Sequence, residues 1–311
     1  MSKLFSAHLS LFIVNAFYGA SHIIAKGVMP DYLTPSVFIL LRASGATLLF
    51  WTIRVFFIRE RVERKDLLLL AACGLFGVAV NQMFFFHGLN LSSSINSGII
   101  MTVNPILVVI LSYFILKERI TWRKSVGISI GATGAILLTL TAGTGNGDSM
   151  LGDVLLFINA ASYAVYLVIV KPLMLKYKPF TVVTYVFCFG LLFIVLYPPT
   201  LMEAYSTDFS KIPFVAVMKI LFVIVGVTFL TYLLTTFSLK YLSPSVSSAY
   251  IYLQPVLVML FAFVFGAMGI SDDYTDTITW EKVGYMLVIF TGVFLTSSSS
   301  FLKKSIRGIK A

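Results

Sequence analysis

Apolar and polar residues follow one another along this chain in long blocks, not at every second or fourth position. Ten blocks are long enough to cross a bilayer as helices, since a hydrocarbon core takes about 20 apolar residues at helical rise. They are 8–26, 36–58, 67–86, 95–116, 125–141, 154–174, 181–198, 214–237, 246–265 and 283–301. The connections are short. The longest, 197–213 and 267–279, leave no room for a soluble domain. The first block follows Lys3 and has small residues at Gly19, Ala20 and Ser21, the loose outline of a cleaved leader. Its apolar run continues to Ile24 and matches the sixth block at a constant offset, Phe12 with Phe157, Ile13 with Ile158, Tyr18 with Tyr163 and Lys26 with Lys171. It is therefore expected to remain as a helix.

The pattern also repeats. A Ser-rich stretch and an apolar run holding Asn104 and Pro105 reappear as a second Ser-rich stretch followed by Gln254 and Pro255. Leu89 falls on Leu239, Ser93 on Ser243 and Ser97 on Ser247, and each copy runs on to an Ile-Thr-Trp, at 120–122 and 278–280. A self-match of this kind divides the chain into two related halves, 1–142 and 143–311.

Composition settles the class. The hydrophobic fraction is 59%, the charged fraction is 12% and the mean hydropathy is +0.95. A water-soluble domain carries about 25% charged residues, so the expected fold is an all-α membrane protein. The net charge of +10 would suit nucleic acid, but its placement argues against that partner. Arg54, Arg59, Arg61, Arg64, Lys65, Lys117, Arg119, Arg123, Lys124, Lys171, Lys176, Lys178 and Lys240 fall in alternate connections, with Lys3, Lys303, Lys304, Arg307 and Lys310 near the ends. The intervening connections carry Asp31, Asp148, Asp153, Glu203, Asp208, Asp272, Asp273 and Asp276. Lys and Arg collect on the cytoplasmic side, so both ends are expected there, in an inner, cytoplasmic membrane. Anionic lipid, not nucleic acid, is the partner this charge implies. Five spans per half is an odd number, so the second half must lie inverted relative to the first, an arrangement typical of secondary transporters.

These features together resemble the drug/metabolite transporter superfamily, and within it the EamA-type ten-helix permeases. The resemblance rests on Tyr18-Gly19-Ala20-Ser21, Arg42 in the second block, Asn104-Pro105, Lys117 to Trp122, and Gly127, Gly131 and Gly134 in the fifth block. The second half echoes it with Gln254-Pro255, Ile278-Thr279-Trp280, Gly284 and Gly292. No single motif is specific, but their doubled order is, and it covers almost the whole chain. One stretch departs from the family pattern: where a second Glu-Arg pair is expected, residues 269–274 form an insertion. The resemblance implies export of amino acids or other small metabolites across a bacterial inner membrane.

The candidate chemistry is sparse. All 13 acidic residues fall in connections or at helix ends, which removes a midplane carboxylate relay and an aspartyl protease. There is no metal-ligand spacing, and the two cysteines, Cys73 and Cys188, read as core residues, so no metal or cofactor is expected. Arg42 lies about two turns inside its block; it is either a clamp for a solute carboxylate or a snorkelling, carbonyl-pairing cation. His22 and His87 could couple transport to protons or serve as interfacial hydrogen-bonders. His8 reads as interfacial. Pro105 and Pro255 free a backbone carbonyl a turn earlier, marking a kink or gate with Asn104 and Gln254 beside it. Asn15, Tyr18, Asn81, Gln82, Tyr163, Tyr166, Tyr185 and Tyr250 are expected in the same layer, as a roomy, uncharged, aromatic-lined site for a small solute. Gly127 and Gly131 are expected to pack against another helix of the same chain, a homodimer seam being the other use of such spacing. Glu118 reads as a solvated salt-bridge partner.

The expectation is thus a non-enzymatic secondary carrier that works by alternating access. A membrane-embedded enzyme or lipid flippase is the alternative, but the convergent nucleophile, acid–base pair or metal set it needs is not in the sequence.

Overall fold

The structure, a computed structural model, describes residues 3–26, 28–29, 32–91, 100–140, 149–267 and 279–308. Every regular element among them is helical. The first half holds α1 (Lys3–Lys26), α2 (Pro35–Phe57), α3 (Leu67–Gly74), α4 (Asn81–Leu91), α5 (Val103–Leu116) and α6 (Trp122–Leu140). The second holds α7 (Met150–Ile169), α8 (Lys171–Lys176), α9 (Pro179–Val195), α10 (Pro198–Ser206), α11 (Phe214–Phe222), α12 (Thr231–Tyr241), α13 (Pro244–Ala249), α14 (Gln254–Ala267) and α15 (Trp280–Gly308).

Five continuous runs are long and apolar enough to cross a membrane: Lys3–Ser21, Pro35–Phe57, Arg64–Leu91, Met150–Lys176 and Phe214–Tyr241. A sixth follows if α9 and α10 count as one span, bent by 77°. The bend comes where Pro198 and Pro199 remove two backbone donors and push the preceding residues out of helical conformation. Large apolar side chains such as Phe56, Phe57 and Phe214 on these helices, and Phe294 on α15, stand exposed, as a lipid-facing surface requires.

Two runs contain a wide turn. Leu75–Val80 joins α3 to α4 and Val223–Leu230 joins α11 to α12, both as π-helix. Such a segment leaves its carbonyls poorly paired within the helix, and in an apolar layer something else must satisfy them. Side-chain hydroxyls do so here. Ser162 donates to Phe76 O (2.5 Å), Tyr232 to Gly77 O (2.6 Å) and Thr228 to Val223 O (2.8 Å). Glycines let neighbours approach: the Tyr166 ring lies where a Gly77 Cβ would stand, and the Phe17 ring does the same at Gly226.

The packing partners are symmetric under exchange of the halves. Helix α1 lies against α12 and α14, and α7 lies against α4 and α5. Helix α2 meets α9, and α6 meets α15. Each of these contacts joins one half to the other, so the two sequence repeats interleave and do not form separate packing units. The α6–α15 seam confirms the expected role of the small residues. A Cβ on Gly292 would run into Gly131 Cα (2.6 Å), and one on Gly127 would meet Gly292 O (2.8 Å). This close approach is intramolecular.

The core forms two apolar clusters. One draws on α2, α3, α7, α9, α11 and α12 and includes Phe38, Phe50, Tyr166, Val186 and Phe187. The other draws on the start of α1, α6, α13, α14 and α15 and includes Leu11, Ala135, Tyr252, Leu257 and Ile289. The cation-rich connections gather at one end. Glu60 accepts from Lys178 N, Lys176 pairs with Glu63 and Asp66, and Lys171 reaches Leu239 O and Leu242 O.

Candidate functional site

A small void lies between the two clusters. Its volume is about 30 Å³, and it is lined by Leu11, Val14, Asn15, Tyr18, Tyr163, Leu167, Thr235, Ser247, Ile251 and Gln254. A single water needs roughly 10–15 Å³ on this measure, so the space is nearly closed. The expected roominess is not seen in this conformation. A larger depression of about 250 Å³, between Tyr32–Thr34 and Thr207–Ile212, sits at the loop face away from these helices.

Four of the residues singled out from the sequence meet at the void: Asn15, Tyr18, Tyr163 and Gln254. Gln254 Nε2 donates to Asn15 Oδ1 (3.1 Å), tying α14 to α1. Thr231 Oγ1 donates to the Tyr18 hydroxyl (3.3 Å), which also faces Tyr163 and Arg42. Asn104 reaches across the matching crossing and donates from Nδ2 to Ala160 O (2.7 Å), leaving its buried Oδ1 without a partner. Asn81 contributes its carbonyl, which accepts from Asn159 Nδ2 (2.6 Å). Gln82 is 3% exposed; its Nε2 faces the Tyr232 hydroxyl, and its Oε1 is left without a partner. Tyr166 is fully buried, its ring 5.8 Å from Tyr163 and 6.2 Å from Tyr232, with its hydroxyl unpartnered.

Arg42 is 7% exposed. Its Nε donates to Thr228 Oγ1 (3.1 Å), and its guanidinium lies over the rings of Phe86 (4.9 Å) and Phe38 (5.6 Å). No carboxylate pairs with it among the described residues.

Other candidates stand elsewhere. Tyr185 packs beneath Arg54 (4.9 Å) and against Trp51, near the cation-rich end, where Arg54 also donates to Glu60 O (2.6 Å). Tyr250 pairs its hydroxyl with His8 Nδ1 (2.8 Å), about two turns nearer the start of α1 than Asn15. His87 Nε2 lies 3.3 Å from Ser36 Oγ, and the His22 side chain lies outside the described residues. Pro105 sits in the first turn of α5, directly after a break at Thr102; Pro255 is the second residue of α14, directly after the 3₁₀ turn Tyr250–Leu253. Proline is tolerated in a first turn. Each span is thus interrupted before its proline, where the sequence suggested a kink in mid-helix. The side chain of Pro255 and the insertion at 269–274 lie outside the described residues.

The sequence reading missed Thr228, Thr231, Tyr232, Thr235 and Ser247. A signal was present: Thr228, Thr231 and Thr235 recur at helical spacing through an otherwise apolar run, a polar stripe on one face.

At the cation-rich end a network of side chains joins the halves. Glu118 pairs with Lys124 and accepts from Ser245 Oγ (3.0 Å), and Lys124 also reaches Ser243 Oγ (3.5 Å). The two charged side chains are 16% and 9% exposed, so Glu118 is enclosed, not solvated as its sequence context suggested. It is aimed by Lys117, which caps α5 at φ 55°, the left-handed region that glycine usually fills. The Glu118 N–H then returns to Ser112 O (3.1 Å).

Comparison with known proteins matches this doubled architecture. The profile of the EamA-like transporter family fits residues 5–140 and again residues 150–298. The chain belongs to the EamA-like transporter family. It is 27% identical over 300 residues to the uncharacterized transporter YyaM of Bacillus subtilis, covering 93% of this chain and 94% of the relative. An uncharacterized transporter of Archaeoglobus fulgidus is 30% identical over 74% of this chain and 79% of its own. A probable terminal-alkyne amino-acid exporter of Streptantibioticus cattleyicolor is 23% identical over 68% of this chain and 73% of its own. A crystal structure sharing 15% identity superposes with a TM-score of 0.73 over 95% of this chain and 97% of its own, a likeness of fold alone. Family members are multi-pass membrane transporters, and the apolar helices of this chain agree.

Proposed function

We propose that this EamA-family protein is a secondary carrier that moves a small amphipathic solute across the cytoplasmic membrane by alternating access. Ten spans in two inverted five-helix repeats, residues 1–142 and 143–311, rock about the void between the clusters. Both ends of the chain face the cytoplasm. The observation that carries this reading is the polar seam. Two close-packed apolar clusters meet across amides and hydroxyls, with a nearly closed void at the centre. Apolar interiors are packed to a fixed density and deform poorly, so the softest plane for relative movement is the one held by a few replaceable hydrogen bonds. The Glu118–Lys124–Ser245 network bridges that plane at the cation-rich end, the end this reading assigns to the cytoplasm, and the carrier is shut there in this conformation. Exchange-symmetric helix partners supply a second arrangement of similar energy, open at the other end. The amino-acid exporter among its relatives favours export of amino acids or related metabolites as the physiological use.

Counterflow in proteoliposomes tests the reading. Vesicles preloaded with an unlabelled amino-acid mixture should accelerate entry of trace labelled amino acids, a behaviour that needs a binding site alternating between faces. Entry that ignores the preload for every solute in a metabolite extract, or chemical alteration of the solutes, overturns it.

A further inference from the structure

We infer that Arg42 is the anchor of an anion subsite beside the central void, and that the transported solute carries a carboxylate which completes it. The subsite's placement rests on the geometry; that its ligand is a transported solute rests on the carrier reading.

The first observation is an imbalance of charge. A guanidinium taken out of water costs several kcal/mol unless a counter-charge and hydrogen bonds compensate it. Around Arg42 the compensation is partial. Thr228 supplies one hydroxyl, and Phe38 and Phe86 supply ring faces. Among the described residues, the titratable groups facing it are the phenols of Tyr18 and Tyr232, which supply no counter-charge. A structural arginine in an apolar layer would be expected to cap helix carbonyls or pair with an acid. Arg42 does neither. Arg54, on the same helix, is held differently: it donates to a backbone carbonyl, Glu60 O, in the connection after α2 and stacks on Tyr185.

A second, independent observation lies next to it. Gln82 is buried with its Oε1 unpartnered and its Nε2 facing the Tyr232 hydroxyl, which connects it to the Arg42 surroundings. Buried amides are almost always satisfied, and an exception calls for a ligand or a second conformation. A carboxylate seated against the Arg42 fork leaves an oxygen for the Gln82 Nε2–H, while Oε1 remains for a donor on the solute. The guanidinium geometry favours two parallel bonds to such a group.

The third observation sets direction. Tyr18 faces Arg42 and also lines the void with Asn15 and Gln254. A solute anchored at Arg42 would extend its remaining part past Tyr18 into the amide- and aromatic-lined space. The site is also one-sided. The offset that pairs Tyr18 with Tyr163 pairs Arg42 with Phe187, and the offset that pairs Leu89 with Leu239 pairs Thr228 with Val78. The mirrored site would hold Phe187 and Val78 in place of Arg42 and Thr228, both apolar, so a solute would bind with a fixed polarity and not in two mirrored poses.

The full-length protein in nanodiscs is to be tested by thermal shift against three acid–amide pairs: L-leucine and L-leucinamide, L-phenylalanine and L-phenylalaninamide, and isocaproate and isocaproamide. At least one acid should stabilise the protein at roughly tenfold lower concentration than its amide. Arg42→Gln should erase that ratio, Arg42→Lys should retain part of it, and Thr228→Val should reduce it while leaving the charge in place. The isocaproate pair distinguishes a bare carboxylate from a zwitterion. Equal stabilisation by acids and amides overturns the subsite, as does a ratio that survives in a folded Arg42→Gln protein. Binding that shows the ratio, without counterflow of the same acid, leaves the subsite standing and removes the carrier.

Discussion

Asn104 and Gln254 hold matching places in the two halves, each in the first turn of a helix that restarts after an interruption, yet they bond to different kinds of partner. Asn104 donates to a backbone carbonyl, Ala160 O, whose position is set by the helix that carries it. Gln254 donates to a side chain, Asn15 Oδ1, which turns about its own bonds and borders the void. Ala160 is the second-half counterpart of Asn15 under the offset that pairs Tyr18 with Tyr163. The same crossing is therefore fixed in one half and adjustable in the other. Duplication explains the shared geometry, and later divergence in side chains explains which crossing can exchange partners with a solute.

The sharpest way to break this comparison is to remove each amide in turn. Gln254→Ala should lower the initial counterflow rate on the order of tenfold, because the lost bond, worth about 1.4 kcal/mol or somewhat less, lines the site itself. The protein should still insert and purify normally. A Gln254→Ala protein with unchanged counterflow takes the adjustable crossing out of the transport path.

Next in size is the closure at the cation-rich end, which also differs between halves. The first half supplies Glu118 from Lys117-Glu118-Arg119, whereas the second half has Gly269-Ile270-Ser271-Asp272 at the corresponding place. Breaking a largely enclosed ion pair leaves Lys124 without its counter-charge, the costly outcome for such pairs. In a Ser247→Cys protein with Cys73 and Cys188 replaced by alanine, Glu118→Gln should speed labelling by an impermeant maleimide from the cation-rich face several-fold, by about five- to tenfold. No change in labelling rate would mean that the network is not what holds that face shut.

Asn104→Ala should do least of the three in transport, a loss of about twofold. Its amide already buries one unpartnered oxygen, so truncation removes an unfavourable group together with a favourable bond. If it proves more damaging than Gln254→Ala, the assignment of fixed and adjustable crossings is reversed.

Much of this was legible before any coordinates. Apolar blocks and alternating Lys/Arg bias report on the bilayer, which acts on every residue of a span, so helices and the shared face of the cation-rich loops follow directly. The doubled amide–proline pairs pointed to the two crossings. Rotation of each helix about its axis was not legible. Tyr185 sits on a helix that is apolar almost all round, and Tyr250 opens a short 3₁₀ turn, so no sequence period says which face turns inward. The π segments were equally hidden, because an i→i+5 turn has no distinct composition. Thr228, Thr231 and Thr235 read as weakly polar residues until those turns bring them to the centre. Glu118 looked solvated because its neighbours in sequence are cations, and only the fold reveals Ser245 from the other half above it.

The smallest expected effect contrasts two ties between the halves at the same end. Lys176 joins Glu63 (2.6 Å) and Asp66 (2.6 Å), with the Tyr177 hydroxyl also donating to Asp66 (2.6 Å), but Glu63 is 50% exposed and Lys176 34%. Hydrogen bonds from Lys176, and then from Lys65, hold the Glu63 carboxyl below the usual carboxylate range. A depressed carboxylate stabilises the fold above its unfolded value near 4.5 and loses that contribution as pH falls through the folded value. Solvent screening keeps the effect small. Between pH of about 7 and about 3, the wild-type melting temperature should fall more than that of Lys176→Met, by about a degree. The enclosed Glu118–Lys124 pair gives the contrasting case, because its removal should change which face of the seam is open. If Lys176→Met instead changed the labelling of Ser247→Cys as much as Glu118→Gln does, closure would be a property of the whole cation-rich face and not of the enclosed pair.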